Sequence, residues 1–132
     1  MTAHSAPSFA QHLESLRWDH RIILLRTEDA APPPDWNATR AAQSAAFEDL
    51  QLAVFAVGED TARPLHPEES DVTYPLGDGF GDLRNAPPGS SVLIGFDGGI
   101  KERQDAPIAW ADYYAAIEQM PMRRAEVRRR ED

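Results

Sequence analysis

The sequence predicts an α/β domain built on a four-stranded mixed sheet with helices packed around it. The first observation is a strand–helix–strand succession, in which the apolar runs Ile22–Leu25 and Leu52–Val57 flank an alanine-rich helix at Trp36–Leu50. Two strands joined by such a crossover helix are parallel, and the crossover is right-handed. The second observation is a β-hairpin, in which Ser91–Phe96 and Ile100–Arg103 are separated by a glycine-rich turn. The hairpin is predicted to place Ser91–Phe96 antiparallel to the first strand.

Helix boundaries follow from capping residues and apolar spacing. Ser8 is a good N-cap for a first short helix, because Phe9, Leu13 and Leu16 form one apolar stripe at i, i+4 and i+7. Asp35 is expected to cap the second helix by accepting a hydrogen bond from its first turn.

A final helix follows the hairpin. Pro107 suits its first turn, since that position lacks a hydrogen-bond partner in any case. Its apolar stripe consists of Trp110, Tyr113, Tyr114 and Ile117. Pro121 is predicted to end or kink this helix, and Arg128–Asp132 is expected to fray, as chain ends usually do.

The stretch Glu59–Ser90 shows no helical or strand period. It contains five prolines, many carboxylates and the run Gly77–Gly81. We expect a long loop with one short helix at Phe80–Arg84. The glycine run is interpreted as a flexible loop and not as a phosphate-binding one, because Pro75 precedes it where a strand is required and Asp78 and Asp82 would repel phosphate.

Composition limits the functional classes. The 132 residues fit a single domain, 1–132, with a frayed N-terminus and an arginine-rich C-terminal tail. There is no cysteine, which excludes disulfides, thiolate catalysis and Cys-type zinc sites. The chain up to Met120 holds 8 basic and 19 acidic residues, a balance of −11, whereas the rest holds 5 and 3, a balance of +2. An acidic body repels phosphates, so nucleic acid is not expected as a partner.

Location and assembly are weakly constrained. No apolar run reaches the ~18 residues of a membrane span, so no membrane partner is expected. As written, the chain has no signal peptide and is expected in the cytoplasm, or in the periplasm or outside the cell if a leader was removed. The sequence does not indicate an oligomeric state.

Two segments have an unusual pattern, the hairpin at Val92–Lys101 and the run Met120–Arg124 that ends the last helix. The stretch just before the first apolar strand adds two further candidate residues. Their candidate residues, of unknown role, are Trp18, Arg21, Gly95, Asp97, Gly98, Gly99, Lys101, Met120, Pro121, Met122, Arg123 and Arg124. The methionines are interpreted first as core packing and second as an adaptable contact surface. The two arginines are expected to contact carboxylates, either those of the body or those of a partner.

These segments carry a resemblance. Leu93-Ile94-Gly95 with Asp97-Gly98-Gly99 and Lys101, the run Met120–Arg124, and Leu16-Arg17-Trp18 with Arg21 resemble the domain-of-unknown-function family 4174 from Leu13 to about Arg130. That family includes short bacterial proteins and a repeated domain of some matrix proteins, sushi-repeat proteins among them. The resemblance implies a thioredoxin-like fold near the peroxiredoxins, with no established enzymatic activity.

The function expected from these observations is recognition. A thioredoxin-like enzyme needs a low-pKa thiolate after the first strand, where Thr27–Trp36 offers carboxylates instead. The four histidines have no metal-ligand spacing, so no metal, cofactor or catalytic residue is expected. We therefore expect a non-catalytic, redox-inactive domain with a protein partner. The alternative is an enzyme with a carboxylate and histidine site in residues 59–90, which His66 or His20 beside a carboxylate would indicate.

Overall fold

The computed structural model describes residues 8–67, 72–77 and 79–131. The predicted frayed N-terminus falls on residues 1–7, which lie outside this range. The helices are α1 Phe9–Leu16, α2 Trp36–Asp49, α3 Gly81–Arg84, α4 Trp110–Glu118 and α5 Pro121–Glu131. The strands are β1 Arg21–Arg26, β2 Leu52–Val57, β3 Thr61–His66, β4 Tyr74–Pro75, β5 Ser91–Ile94 and β6 Ile100–Gln104.

The strands form one mixed sheet in the order β4-β3-β2-β1-β5-β6. Strands β1 and β2 are parallel, and β5 is antiparallel to both β1 and β6, which confirms the predicted pairing. The third predicted strand is shorter than expected, because regular pairing ends at Ile94 and Phe96 belongs to the hairpin turn. The α/β class is confirmed, but the prediction of four strands is wrong, since β3 and β4 extend the sheet beyond β2.

The two additional strands come from the stretch that was expected to be a loop. Pro64 concealed β3, because proline cannot donate to a sheet ladder. Here β4 pairs only with Thr61 and Ala62, so Pro64 lies where one side of β3 has no strand neighbour, next to a register shift between Val54 and Phe55 of β2. The short helix expected near Phe80 is confirmed as α3.

Both faces of the sheet are covered. Phe9 of α1 packs on one face with Leu24 and Phe55, and the rings of Phe9 and Phe55 meet edge-on at 5.1 Å. Helices α2 and α4 cover the other face with Phe47 and Tyr113, both 0% exposed. Strands β1 and β2 are buried along their whole length, which explains why they are apolar runs without alternation.

Capping predictions had mixed outcomes. Ser8 forms a full capping box with Gln11, as expected of the first helix. Asp35 makes no side-chain cap, and the backbone N–H of Trp36 donates instead to the Pro33 carbonyl at 2.9 Å. Pro107 precedes α4 and does not lie in its first turn.

The C-terminal segment is ordered, against expectation. Pro121 does end α4, but it is also the first residue of α5, a position that proline favours. The prediction that Arg128–Asp132 frays is wrong for residues 128–131, which are helical, while Asp132 lies outside the described residues. None of the helices in the described part of the chain has the length and apolar character that a membrane span requires.

Candidate functional site

A cavity of about 710 Å³ lies at the amino end of β1, between the β5–β6 turn and the end of α4. We call it the motif cavity, because half of the candidate residues line it. These are Trp18, Arg21, Gly95, Asp97, Lys101 and Met120, and the other lining residues are Phe96, Glu102, Ala116 and Gln119. Residues that are far apart in the sequence thus converge on one place.

The β5–β6 turn forms one wall of the motif cavity. Asp97 organises it: one carboxylate oxygen accepts from the Gly99 backbone N–H at 2.9 Å and the other from the Lys101 ammonium at 2.9 Å. These two hydrogen bonds lower the pKa of Asp97. Gly98 has φ +85°, a conformation that glycine adopts without strain. A Cβ on Gly95 would come within 2.7 Å of the Lys101 side chain, so glycine makes room for that lysine.

A β-bulge adjusts the neighbouring strand. Leu93 pairs with Glu102, but the next residue of β5, Ile94, pairs with Ile100, so Lys101 is an extra residue on β6. A bulge re-aims side chains that would otherwise alternate between faces. Lys101 and Glu102 therefore both line the motif cavity although they are adjacent in sequence.

Arg21 forms the buried floor of the motif cavity and is 0% exposed. Its guanidinium donates to the Leu50 carbonyl at 2.8 Å and to the Glu126 carboxylate at 3.2 Å, and it stacks on the Phe96 ring at 4.1 Å. Burial lowers the pKa of Arg21, and Glu126 partly opposes this effect. The Nε atom of Arg21 has no hydrogen-bond partner among the described residues.

Arg123 lies behind this floor and is 4% exposed. It pairs with Asp49 at 2.7 Å, Glu118 at 3.1 Å and Glu126 at 3.2 Å, which joins α5 to α2 and α4. Burial alone would lower its pKa, but hydrogen bonds to Glu126 and Glu118 outweigh burial and raise it. The expected contact of Arg123 with carboxylates is therefore confirmed, and it is internal.

Arg124 behaves differently from its neighbour. It is exposed, and its guanidinium donates to the side-chain oxygen of Gln119. It forms no ion pair among the described residues, so the expectation that both arginines contact carboxylates is wrong for Arg124. Adjacent residues on a helix point about 100° apart, which explains why one arginine faces the body and the other faces solvent.

Trp18 and Met120 supply the apolar part of the rim. Trp18 is 57% exposed, and its backbone N–H donates to the Phe96 carbonyl at 2.8 Å, which positions the residue beside the turn. Met120 packs partly against the core cluster and also lines the motif cavity. Pro121 and Met122 begin α5, and their side chains lie outside the described part of the structure.

A second large cavity, of about 920 Å³, lies at the carboxyl end of β1. We call it the proline cavity, because Pro32, Pro33, Pro34, Pro88 and Pro107 line it together with Trp36 and Trp110. The segment after β1, from Thr27 to the start of α2, forms one side of it. The position at which a reactive thiolate was considered therefore opens onto this cavity, but the chain has no cysteine to supply one.

Two histidines, His20 and His66, bear on the alternative of an acid–base site. Neither His20 nor His66 hydrogen-bonds to a carboxylate within the described residues. The ring of His66 lies 4.9 Å from that of Phe47, and burial lowers its pKa, opposed in part by Glu48. No group of three or more potential metal ligands occurs in the part of the chain that the structure describes.

Sequence reasoning missed several residues of this region. Phe96, Glu102 and Gln119 line the motif cavity, and three carboxylates hold Arg123. Phe96 could have been found, because it closes an apolar run next to the turn. The carboxylates Asp49, Glu118 and Glu126 carried no local signal, since each is one of 22 acidic residues in the sequence.

Comparison with known proteins gives one match. No curated protein and no solved structure is significantly similar to the chain. A family model, described as a domain of unknown function (DUF4174), matches residues 12–126, which run from within α1 to Glu126 of α5 and include all residues of the motif cavity. The match covers well over half of the chain and contains the segments with the unusual pattern. The chain therefore belongs to the DUF4174 family.

Proposed function

We propose that this chain is a non-catalytic, redox-inactive domain with a thioredoxin-like arrangement, and that it binds a protein partner at the motif cavity. One observation carries the proposal: six candidate residues from three separate segments line one cavity of about 710 Å³. This volume lies in the range of about 300–1,000 Å³ that is typical of binding sites.

The thioredoxin-like arrangement is supported by the middle of the sheet. The order β2-β1-β5-β6, with a parallel first pair and an antiparallel hairpin after it, is the arrangement of that fold. Strands β3 and β4 would then be an addition at the β2 edge.

Recognition is favoured over catalysis because three of the four charged side chains that line the cavity are held in ion pairs with other described residues, Glu102 being the exception. Asp97 is paired with Lys101, and Arg21 with Glu126. A general base works best with a pKa near the working pH, whereas the hydrogen bonds to Asp97 lower its pKa. The cavity also lacks a cysteine or serine among its lining residues.

A protein partner is favoured by the apolar rim. Tryptophan is enriched among the residues that dominate binding energy at protein interfaces, and Trp18 is one of the two large hydrophobic side chains most exposed in the described structure. Methionine adapts its shape to different partners, and Met120 lies on the same cavity.

The test compares Trp18→Ala with Ile100→Ala. Ile100 is a matched control, because it is 51% exposed and lines a different cavity, on the α1 side of the sheet. We expect a partner captured from native lysate by the wild-type chain and identified by mass spectrometry to bind the purified Ile100→Ala variant with unchanged affinity. Trp18→Ala should weaken this purified binding by at least about tenfold. Equal binding by both variants would contradict the proposal.

A second measurement tests the absence of catalysis. We expect no disulfide reduction and no peroxide consumption by the purified chain above the rate of buffer. Turnover in either assay would contradict the redox-inactive assignment even if a partner binds at Trp18.

A further inference from the structure

We propose that the exposed surface of α5 around Arg124 and Arg128, which lie one helical turn apart, is a docking surface for an acidic polypeptide segment. We call this surface the arginine face. Its groove shares no lining residue with the motif cavity, although Arg124 hydrogen-bonds to Gln119 at the edge of that cavity, so the inference goes beyond the proposed function and is tested separately from it.

Helix α5 is held in a fixed orientation by the side chains on its opposite side. Arg123 pairs with three carboxylates on α2, α4 and α5, and Glu126 also binds the buried Arg21. The arginine face therefore projects from a helix that is anchored to the body, which lowers the conformational entropy lost on binding.

The exposed arginines of α5 have no carboxylate partner among the described residues, although Arg124 hydrogen-bonds to the side chain of Gln119. Arg124, Arg128 and Arg129 are exposed, and none of them has a carboxylate within 4.0 Å in the described structure. This is not for want of carboxylates, since the chain has 22 acidic residues against 13 basic ones. The adjacent Arg123 takes three carboxylates, while these arginines take none.

The positions of Arg124 and Arg128 on α5 lower the stability of the helix. Arginines in the last turn are favoured by the helix dipole, which accounts for Arg128 and Arg129. Arg124 lies in the first turn, where a cation is disfavoured, and it is also one turn from Arg128, a like-charge spacing that destabilises a helix. A bound anion between these two side chains would remove both penalties.

The shape of this surface also suits an acidic segment. A shallow groove of about 290 Å³ is lined by Arg124, Val127, Arg128 and Glu118. Glu118 is hydrogen-bonded to Arg123 at 3.1 Å, but Arg123 shares its single charge among three carboxylates, so the positive charge of the groove comes from Arg124 and Arg128. Two guanidiniums one helical turn apart, with a small apolar side chain between them, match two carboxylates at a similar separation, because each guanidinium can bind a carboxylate with two parallel hydrogen bonds.

The charge of the rest of the chain favours a short acidic segment over a long polyanion. The residues before Pro121 carry a balance of −11. Nucleic acid or an anionic membrane would extend across this acidic body and be repelled. A short segment on α5 experiences mainly the local charge, since interactions beyond about 8 Å are screened at physiological ionic strength.

The experiment measures binding of a fluorescein-labelled helical peptide with glutamates at i and i+4, by fluorescence anisotropy, to the full chain. A peptide with glutamine at those positions serves as the ligand control. The double variant Arg124→Gln/Arg128→Gln is compared with Arg63→Gln/Arg103→Gln, which removes the same charge from exposed arginines on strands β3 and β6.

We expect the glutamate peptide to bind and the glutamine peptide not to bind. Arg124→Gln/Arg128→Gln should weaken binding at least about tenfold, whereas the control double variant should change it by less than about twofold. Arg124→Lys/Arg128→Lys keeps the charge but loses the guanidinium geometry, and it should give an intermediate affinity. Arg124→Gln/Arg128→Gln should melt at or slightly above the wild-type temperature, since it removes the like-charge spacing on α5. The other variants should melt close to the wild type, because none of the substituted side chains is buried.

Three results would overturn the proposal. They are no binding of the glutamate peptide, equal loss of binding in both double variants, and binding of heparin or phosphatidylserine vesicles through Arg124 and Arg128 in preference to the peptide. The last result would assign the face to sulfate and phosphate groups. None of these outcomes depends on whether Trp18 binds a partner, so the two proposals are separable.

Discussion

The two ends of strand β1 carry cavities of comparable size and opposite character. At the carboxyl end, the proline cavity of about 920 Å³ is lined by prolines and two tryptophans. At the amino end, the motif cavity of about 710 Å³ has a buried arginine, a paired Asp97 and Lys101, and an exposed tryptophan. In open α/β sheets, ligands usually bind outside the carboxyl ends of the strands. Here the residues that carry the family resemblance lie at the opposite end.

The difference lies in the side chains that the two ends of one sheet present. The cavity at the carboxyl end is lined by no cysteine, since the sequence contains none. The amino end combines the network of Arg21, Arg123 and Glu126, which joins α5 to the sheet, with the apolar rim that we propose for recognition. The following predictions test whether the amino end is as highly organised as this comparison implies.

The largest effect is expected at Arg21. Arg21→Met removes the donor to the Leu50 carbonyl and leaves Glu126 with Arg123 as its remaining partner. Breaking a buried pair by removing one member typically costs 3–5 kcal/mol, and we expect about 3 kcal/mol here because Glu126 keeps one partner. Urea unfolding measures the change. Arg17→Met, at an exposed pair with Glu14, is the control and should cost less than about 1 kcal/mol. Equal losses would contradict the structural role of Arg21.

The next effect separates two neighbouring arginines. Arg123→Met should lower the free energy of unfolding by about 2 kcal/mol, because hydrogen bonds to charged groups are lost while Asp49 and Glu118 remain partly solvated. Arg124→Met should change it by less than about 0.5 kcal/mol, as for most surface substitutions. Chemical denaturation of both variants measures the difference. A larger loss for Arg124→Met would reverse our assignment of the two side chains.

Two glycines compare the ends of the sheet directly. A Cβ on Gly58, at the carboxyl end of β2, would lie 2.6 Å from the Ala30 backbone nitrogen, which cannot move without shifting the chain. Overpacking of this kind costs about 1–3 kcal/mol. On Gly95, at the amino end, a Cβ meets the flexible end of Lys101, so Gly95→Ala should cost less than about 1 kcal/mol. Melting temperatures of both variants provide the measurement, and a greater loss for Gly95→Ala would show a rigid turn.

The smallest effect is a pH dependence at Asp97. Because its folded pKa is lowered from the ordinary value of 3.8, the folded state is stabilised above pH 3.8, and this contribution is lost as the pH falls through the folded pKa. At neutral pH, the free energy of unfolding of the wild type should exceed that of Asp97→Asn by at most about 1 kcal/mol. The effect is small because the pair with Lys101 is exposed to solvent and screened. Urea unfolding across the acid range should show the difference vanish. A difference that persists in acid would have a cause other than the carboxylate charge.

The residues of the motif cavity were recognisable one segment at a time, but their meeting point was not. Trp18, Gly95 and Met120 stood out by local pattern, and the structure places all three on one cavity. Which of Arg123 and Arg124 faces the body could not be predicted, because that depends on where α2 and α4 place Asp49 and Glu118. Those positions are properties of the packed molecule.

Local sequence by itself determined the elements whose stability is local or whose burial is complete. The apolar runs of β1, β2 and β5, the Ser8 cap and the hairpin turn were all predictable, since their residues carry the period or the turn chemistry that the structure requires. Tertiary structure alone decided β3, β4 and α5. Strand β3 contains a proline and pairs only because the edge of β2 is available, and α5 has few apolar residues and is held by ion pairs to distant carboxylates. In both cases the stabilising partner lies outside the segment, so the hydrophobic period of the segment itself could not predict the element.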